Sequence, residues 1–135
     1  MKKRIASAVV TPAGANYAQD IATGGFNLRS DEPVSAGGQD AGPAPYGLVL
    51  AGLGSCTAIT LKMYADRKGW DIGHMRVALT LDKDTEGRAF IGRALSTDAT
   101  LSAEQWDKLI EIAGKTPVTK TLAAGAEITT TRAGP

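Results

Sequence analysis

Apolar and polar positions alternate in several short runs within the first thirty residues. Residues 4–10 and 17–22 show this pattern and are separated by turn-forming residues at 11–16. After a second turn, residues 26–29 alternate in the same way. A period of two is typical of strands buried on one face, and clusters of Gly, Pro and Asn between such runs mark turns. The pattern therefore predicts a hairpin followed by a third strand.

The middle of the chain changes character twice. Residues 30–44 are rich in Gly, Pro and Asp and predict a long loop, which in a compact domain often forms part of a functional site. Residues 48–68 are then apolar on nearly every side until a charged last turn, with Pro45 before them and Gly69 after them. Proline suits the first turn of a helix and glycine its end. We predict a long, buried central helix.

A second hairpin and a second long helix follow. Residues 75–83 and 89–99 alternate on either side of a turn, which predicts two antiparallel strands. Ser102 is placed to cap a helix, with Gln105 three positions later as its capping-box partner. Gly114 marks the end of that helix.

The C-terminal part is predicted to hold a short helix from Pro117 through Leu122 and a last, β-branched strand at residues 126–131. Strands, buried helix, strands, helix and strand follow one another without an internal repeat. This order favours an α+β fold of antiparallel sheets with helices packed on one side. The length predicts that residues 1–135 form a single domain.

Composition and charge exclude several classes of function. Fifteen basic and fourteen acidic residues leave a net charge of +1, so no strong field attracts nucleic acid or an anionic membrane. The basic residues 1–4 precede an alternating segment rather than the apolar run of a signal peptide, which favours a cytoplasmic protein. One cysteine and one histidine exclude an internal disulfide and a Cys/His metal cage, and we expect no metal or other cofactor.

The single cysteine, Cys56, lies within the apolar helix, and two interpretations are open. A free cysteine in such surroundings is commonly a small buried hydrophobe. A reactive thiolate instead needs a cation, a hydrogen-bond donor or a helix N-terminus, and Cys56 is too deep in its own helix for that dipole. The first candidate for the cation is Arg29, at the edge of the long loop. We interpret His74 as a surface residue and the adjacent Asp31 and Glu32 as loop charges.

Residues 42–70 closely resemble the central helix of OsmC/Ohr-type proteins. Further motifs extend the resemblance over essentially the whole chain: Asp31-Glu32-Pro33, Gly37-Gly38, residues 109–113, Thr116-Pro117-Val118 and Thr121-Leu122. The resemblance implies an OsmC-like fold, an intertwined homodimer and active sites at the subunit interface. It also implies the reduction of organic hydroperoxides by a pair of cysteines.

Carried over residue by residue, the resemblance places Cys56 at the position of the peroxide-attacking cysteine, whose thiolate becomes a sulfenic acid. The family's second cysteine precedes a proline after the late helix, and the matching residue here is Thr116. A hydroxyl cannot take part in thiol–disulfide exchange, so we expect an external thiol reductant. Tyr46-Gly47 stands where relatives carry a glutamate that helps to orient the activating arginine. Arg29 is matched to that arginine only by its expected position near the site.

Two functions from different classes are therefore open. The first is the thiol-dependent reduction of organic hydroperoxides by a one-cysteine enzyme that lacks the resolving cysteine. The second is a non-catalytic dimer of the same fold that binds a small apolar ligand or is structural, with Cys56 as an inert core residue. The architecture cannot separate them, because function depends on the site.

Overall fold

The structure, a computed structural model, describes residues 1–134 and has the predicted α+β fold. It divides into two compact units, Met1–Val49 and the residues from Leu50 onwards. A short 3-10 turn lies at Val34–Ala36. The elements in chain order are β1 (Val9–Pro12), β2 (Gln19–Thr23), β3 (Phe26–Ser30), α1 (Pro45–Lys68), β4 (Arg76–Lys83), β5 (Ala89–Ser96), α2 (Ala103–Ala113) and α3 (Pro117–Ala124).

The first unit contains a three-stranded antiparallel sheet in the order β1-β2-β3, as the pattern predicts. Gly24 and Gly25 both have positive φ angles, 58° and 81°, in the two-residue turn between β2 and β3. Such a turn matches the twist of the flanking strands and favours glycine. β1 starts later than the predicted segment 4–10. Its pairing with β2 begins at Val9 opposite Ala22, and β2 turns away soon afterwards.

A single buried carboxylate organises the long loop after β3. Asp31 is 3% exposed and accepts hydrogen bonds from the backbone N–H groups of Glu32, Gln39 and Ala41, at 2.7, 3.0 and 3.1 Å. Burial acts to raise the pKa of Asp31, but the three hydrogen bonds outweigh it and lower the pKa below its usual value. Asp31 is therefore a structural residue of the loop, as its interpretation as a loop charge predicts.

The second unit has a core built from α1, α2 and the segment between α1 and β4. The buried side chains of this core are Leu61, Ala65, Ile72, Leu109 and Ala113. Gly54 of α1 allows the β4–β5 hairpin to approach closely, because a Cβ atom at this position would lie 2.7 Å from the Cδ1 atom of Leu79. The hairpin is antiparallel, with Leu79 opposite Arg93.

The predicted central helix is confirmed, and it begins at Pro45, but the burial expected on nearly every side of it is not found within the described residues. It is covered on one face only, because Leu61 is fully buried whereas Ile59 and Met63 are 52% and 57% exposed. Within the described residues, α1 is also the one helix that is long and apolar enough to cross a membrane by length and composition. The core helix of a soluble protein passes the same test.

The C-terminal half differs from the predicted pattern at two places. Ser102 and Gln105 form the predicted capping box of α2, but β5 ends at Ser96 rather than at residue 99. The predicted strand at residues 126–131 is wrong, since these exposed residues have no regular secondary structure. No strand in the described part of the chain pairs with them. β-branched composition favours a strand only where a neighbouring strand supplies hydrogen bonds and packing.

The substitution Leu61→Ala is expected to lower the free energy of unfolding by about 2–5 kcal/mol, because it leaves a cavity in the core. The matched control is Leu122→Ala on α3, where the leucine is 41% exposed. This change is expected to cost about 0.5 kcal/mol or less. Urea unfolding followed by circular dichroism measures both. Equal losses would contradict the position of the core.

Candidate active site

Cys56 lies on α1 as a free, half-buried thiol. Thr60, one turn later on the same face, places its Oγ1 4.0 Å from the Cys56 Sγ. Thr57, the next residue, is fully buried and donates its hydroxyl hydrogen to the carbonyl oxygen of Leu53 at 2.7 Å. The thiol thus has polar neighbours within the largely apolar middle part of the helix.

The junction between α2 and α3 supplies two further donors to the sulfur. Thr116 is fully buried and caps α3, with Pro117 in the first turn. The Thr116 side chain and the backbone N–H of Val118 act on the Cys56 sulfur as hydrogen-bond donors that lower its pKa. The first N–H groups of a helix have no partner inside it and form its positive end, so they suit a thiolate. The helix N-terminus that acts on Cys56 therefore belongs to α3 and not to α1.

Arg93 of β5 is the cation of this site, and the sequence analysis missed it. Its Nη1 atom donates to the hydroxyl oxygens of Thr57 on α1 and Thr119 on α3, both at 2.9 Å. Arg93 thereby joins the two helices whose residues contact the Cys56 sulfur. One signal was present in the sequence, because Arg93 falls on the same side of its strand as Leu95, at a half-buried position.

Thr119 links the guanidinium to a residue that contacts the sulfur. Its Oγ1 donates to the carbonyl oxygen of Ala113 at 3.1 Å and lies 2.6 Å from the Oγ1 of Thr116, where either hydroxyl can be the donor. Each hydroxyl has a single hydrogen. Rotation of the Thr119 hydroxyl from the Ala113 carbonyl to Thr116 leaves the Thr116 hydrogen free for Cys56, and a thiolate favours that arrangement. Hydrogen bonds in such a chain polarise one another. Arg93 thus supports the thiolate by its charge and through two hydroxyl groups.

Burial and these polar groups act on the Cys56 thiol in opposite directions. Partial burial acts to raise the pKa of Cys56. It is outweighed by hydrogen bonds with the Val118 N–H, Thr116 and Thr60 and by the charge of Arg93. The pKa of Cys56 is consequently below its ordinary value, which increases the thiolate fraction at neutral pH. The thiolate is the nucleophilic form, so the site is suited to attack on an electrophile.

Arg29, the cation expected from the sequence, is paired with a carboxylate on the neighbouring strand. Its Nη2 lies 3.0 Å from the Oδ1 of Asp20, and both side chains are about half exposed, at 51% and 53%. Exposed pairs of this kind contribute little to stability. The activating role assigned to Arg29 stays a prediction, whereas Arg93 is the cation that lowers the pKa of Cys56.

His74 is a surface residue, as expected. Its side chain is 97% exposed, and its Nδ1 lies 2.7 Å from the Oδ2 of Asp98. This hydrogen bond raises the pKa of His74. The pair joins the segment before β4 to the turn after β5.

The fold and the site together define an α+β protein with one activated cysteine on a central helix. The model of the OsmC-like protein family matches residues 37–131. The chain therefore belongs to the OsmC family. No curated protein sequence matches the chain.

Solved structures share this fold at low sequence identity. One is a protein from Psychrobacter arcticus that is described as an osmotic stress induced and detoxification response protein. It has a TM-score of 0.76 and 18% identity, with 89% of this chain and 90% of that chain covered. The organic hydroperoxide resistance protein OsmC of Legionella pneumophila has a TM-score of 0.64 and 17% identity, with 90% and 91% covered. The organic hydroperoxide resistance protein OhrB of Bacillus subtilis has a TM-score of 0.58 and 23% identity, with 87% and 90% covered.

The substitution Arg93→Gln is expected to raise the pKa of Cys56, because it removes the positive charge that favours the thiolate. Reactivity that depends on the thiolate is present above the pKa of Cys56 and is lost as the pH falls through that pKa. The variant therefore needs a higher pH to reach the same thiolate fraction. Ultraviolet absorbance of the thiolate against pH measures the shift. Arg29→Gln is the matched control and should leave the titration unchanged. A shift in that variant alone would mean that the cation is misassigned.

Proposed function

We propose that this protein is a thiol-dependent organic hydroperoxide reductase that works with one cysteine, Cys56. The observation that carries the proposal is the lowered pKa of a half-buried thiol, produced by the N-terminus of α3, two threonine hydroxyls and Arg93. An inert core cysteine would be surrounded by apolar groups, which raise the pKa of a thiol. The names of the Legionella and Bacillus relatives, which refer to organic hydroperoxide resistance, support the same substrate class.

The first half-reaction oxidises the cysteine. The Cys56 thiolate attacks the distal oxygen of the hydroperoxide, the O–O bond breaks, and the alkoxide leaves as an alcohol after taking a proton from water. The sulfur becomes a sulfenic acid and the hydroperoxide has gained two electrons. The residues that stabilise the thiolate, Thr116 and Arg93 among them, also place hydrogen-bond donors and positive charge near the departing alkoxide.

The second half-reaction needs a thiol from outside the chain. By resemblance to two-cysteine relatives, Thr116 stands at the position of the resolving cysteine. Its hydroxyl cannot form a disulfide. An external thiol therefore condenses with the sulfenic acid to a mixed disulfide and releases water. A second thiol then regenerates Cys56 and leaves as a symmetrical disulfide.

We further propose that the protein acts in the cytoplasm as a homodimer. α1 leaves Ile59 and Met63 about half exposed, and Ile128 near the end of the described chain is 87% exposed. Exposed apolar groups of this kind favour burial against another surface. The cytoplasm would also supply the reduced thiols that the second half-reaction requires.

Treatment of the wild-type protein with a modest excess of an organic hydroperoxide is expected to oxidise Cys56 to sulfenic acid. The product is detected by a dimedone adduct in the intact mass. The Thr116→Cys variant is expected to form an intramolecular disulfide instead, because residue 116 lies near enough to the Cys56 sulfur for its side chain to lower the pKa of the thiol. This variant loses its threonine cap on α3, at a cost of about 1 kcal/mol.

The control for this experiment is Cys56→Ser in both backgrounds, which should abolish both products. If wild-type Cys56 stays unmodified and the Thr116→Cys variant keeps two free thiols, the non-catalytic dimer is the correct function. If the wild type is oxidised and the variant forms no disulfide, Cys56 is reactive and the placement of residue 116 is wrong.

Sedimentation equilibrium at micromolar concentration is expected to give the mass of a dimer. Ile59→Lys places a charge on the exposed face of α1 and should shift the equilibrium towards the monomer, because burying an unpaired charge is costly. Lys62→Gln, at an exposed position three residues later, is the control. A monomeric wild type would contradict the proposed assembly.

A further inference from the structure

Arg93 takes part in the peroxide chemistry described above, but the apolar walls of the groove that it lines do not. The groove has a volume of about 410 Å³ and is lined by Arg93, Leu95, Trp106, Ile110, Ala113 and Gly114. Arg93 supplies its one charge, and the other side chains are apolar. A space of this size accepts a small organic molecule.

Arg93 has more hydrogen-bonding capacity than its protein contacts use. A guanidinium carries five N–H donors. Within residues 1–134, its hydrogen bonds are the two from Nη1 to Thr57 and Thr119, and no carboxylate forms an ion pair with it. The donors on Nη2 and Nε are left for a ligand. A half-buried cation in an apolar groove is complementary to a molecule that combines an apolar body with a carboxylate.

We propose that the groove binds the reductant, a small anionic monothiol whose carboxylate is held by Arg93 while its sulfur reaches Cys56. This inference rests on the proposed function and names its second substrate. The ligand must bring a thiol because Thr116 offers none. It must be anionic because Arg93 is the polar end of the groove.

The charge on Cys56 changes during the reaction in a way that fits this proposal. In the resting protein, Arg93 compensates the Cys56 thiolate. Oxidation converts this anion into a neutral sulfenic acid, so the guanidinium loses its charge partner at the step that requires the reductant. The carboxylate of the thiol then takes that place. Two such thiols give up two electrons, become one disulfide, and reduce the sulfenic acid to the thiol and water.

Thiol–disulfide exchange tests the groove without any peroxide. The full-length protein is mixed with the symmetrical disulfides of mercaptopropionate, mercaptoethanol and cysteamine, which are similar in size and are anionic, neutral and cationic. Mixed disulfide at Cys56 is followed by intact mass. Attack on the disulfide moves the negative charge from Cys56 to the leaving sulfur, which frees Arg93 for the carboxylate. We therefore expect exchange with the anionic disulfide to be about tenfold faster than with the cationic one, the size of effect that one charge-assisted hydrogen bond supplies.

Two variants locate the source of this preference. Arg93→Gln is expected to abolish it, and the ratio of rates is compared because the raised pKa of Cys56 slows all three reactions together. Ile110→Glu introduces a negative charge into the groove at a position that is 59% exposed, and should also abolish it while Arg93 is kept. Arg76→Gln, at an exposed position on β4 of the same hairpin, is the matched control and should retain the preference.

The proposal is overturned if the wild type shows no charge preference, or if the preference survives either groove variant. The outcome is separable from that of the peroxide experiment. Sulfenic acid formation without a charge preference would overturn the groove proposal alone. A charge preference without sulfenic acid formation would overturn the proposed function, and with it the role of the bound thiol as reductant.

Discussion

The interaction on which the site depends is the pair of hydrogen bonds from the Arg93 guanidinium to Thr57 and Thr119. A half-buried cation must be held by hydrogen-bond acceptors, and these two hydroxyl oxygens come from different helices. The hydrogen of Thr57 is committed to the Leu53 carbonyl, so Thr57 can only accept from Arg93. These hydrogen bonds therefore hold α3 against β5, and they keep the N-terminus of α3 close to Cys56.

Threonine at position 116 has a function of its own in this arrangement. It caps α3, it is fully buried, and it directs a hydroxyl towards the Cys56 sulfur. Cysteine is a poorer helix cap and a weaker hydrogen-bond donor than threonine. Under the proposed function, the site would exchange an intramolecular disulfide for a better stabilised thiolate and would depend on an external reductant.

The sequence predicted those features that local patterns encode. The central helix, both hairpins, the capping box of Ser102 and the short helix after Pro117 follow from periodicity and from capping residues. Residues 126–131 were mistaken for a strand because strand propensity says nothing about whether a partner strand is available. The start of β1 was misplaced for a related reason, since the length of β2 and its turn determine where pairing begins.

The candidate site was predictable only in part. Cys56 was identified as the one thiol, and Thr116 through a family resemblance. The partners that set the chemistry of Cys56 come from β5 and α3, distant in sequence, so no local pattern indicates them. Arg93 was detectable as a charge on the inward side of a strand, but that pattern does not reveal which helices it joins. Arg29 was chosen by its position in the chain, and the structure pairs it with Asp20.

The central claim is that Arg93 stabilises the Cys56 thiolate partly through the hydroxyl chain of Thr119 and Thr116. A double-mutant cycle on the pKa of Cys56 tests it most directly, with Arg93→Gln, Thr119→Val and the double variant titrated beside the wild type. Each single substitution should raise the pKa, and the double variant should raise it by less than the sum, because both changes interrupt the same chain. Additive shifts, or a pKa that Thr119→Val leaves unchanged, would contradict the account.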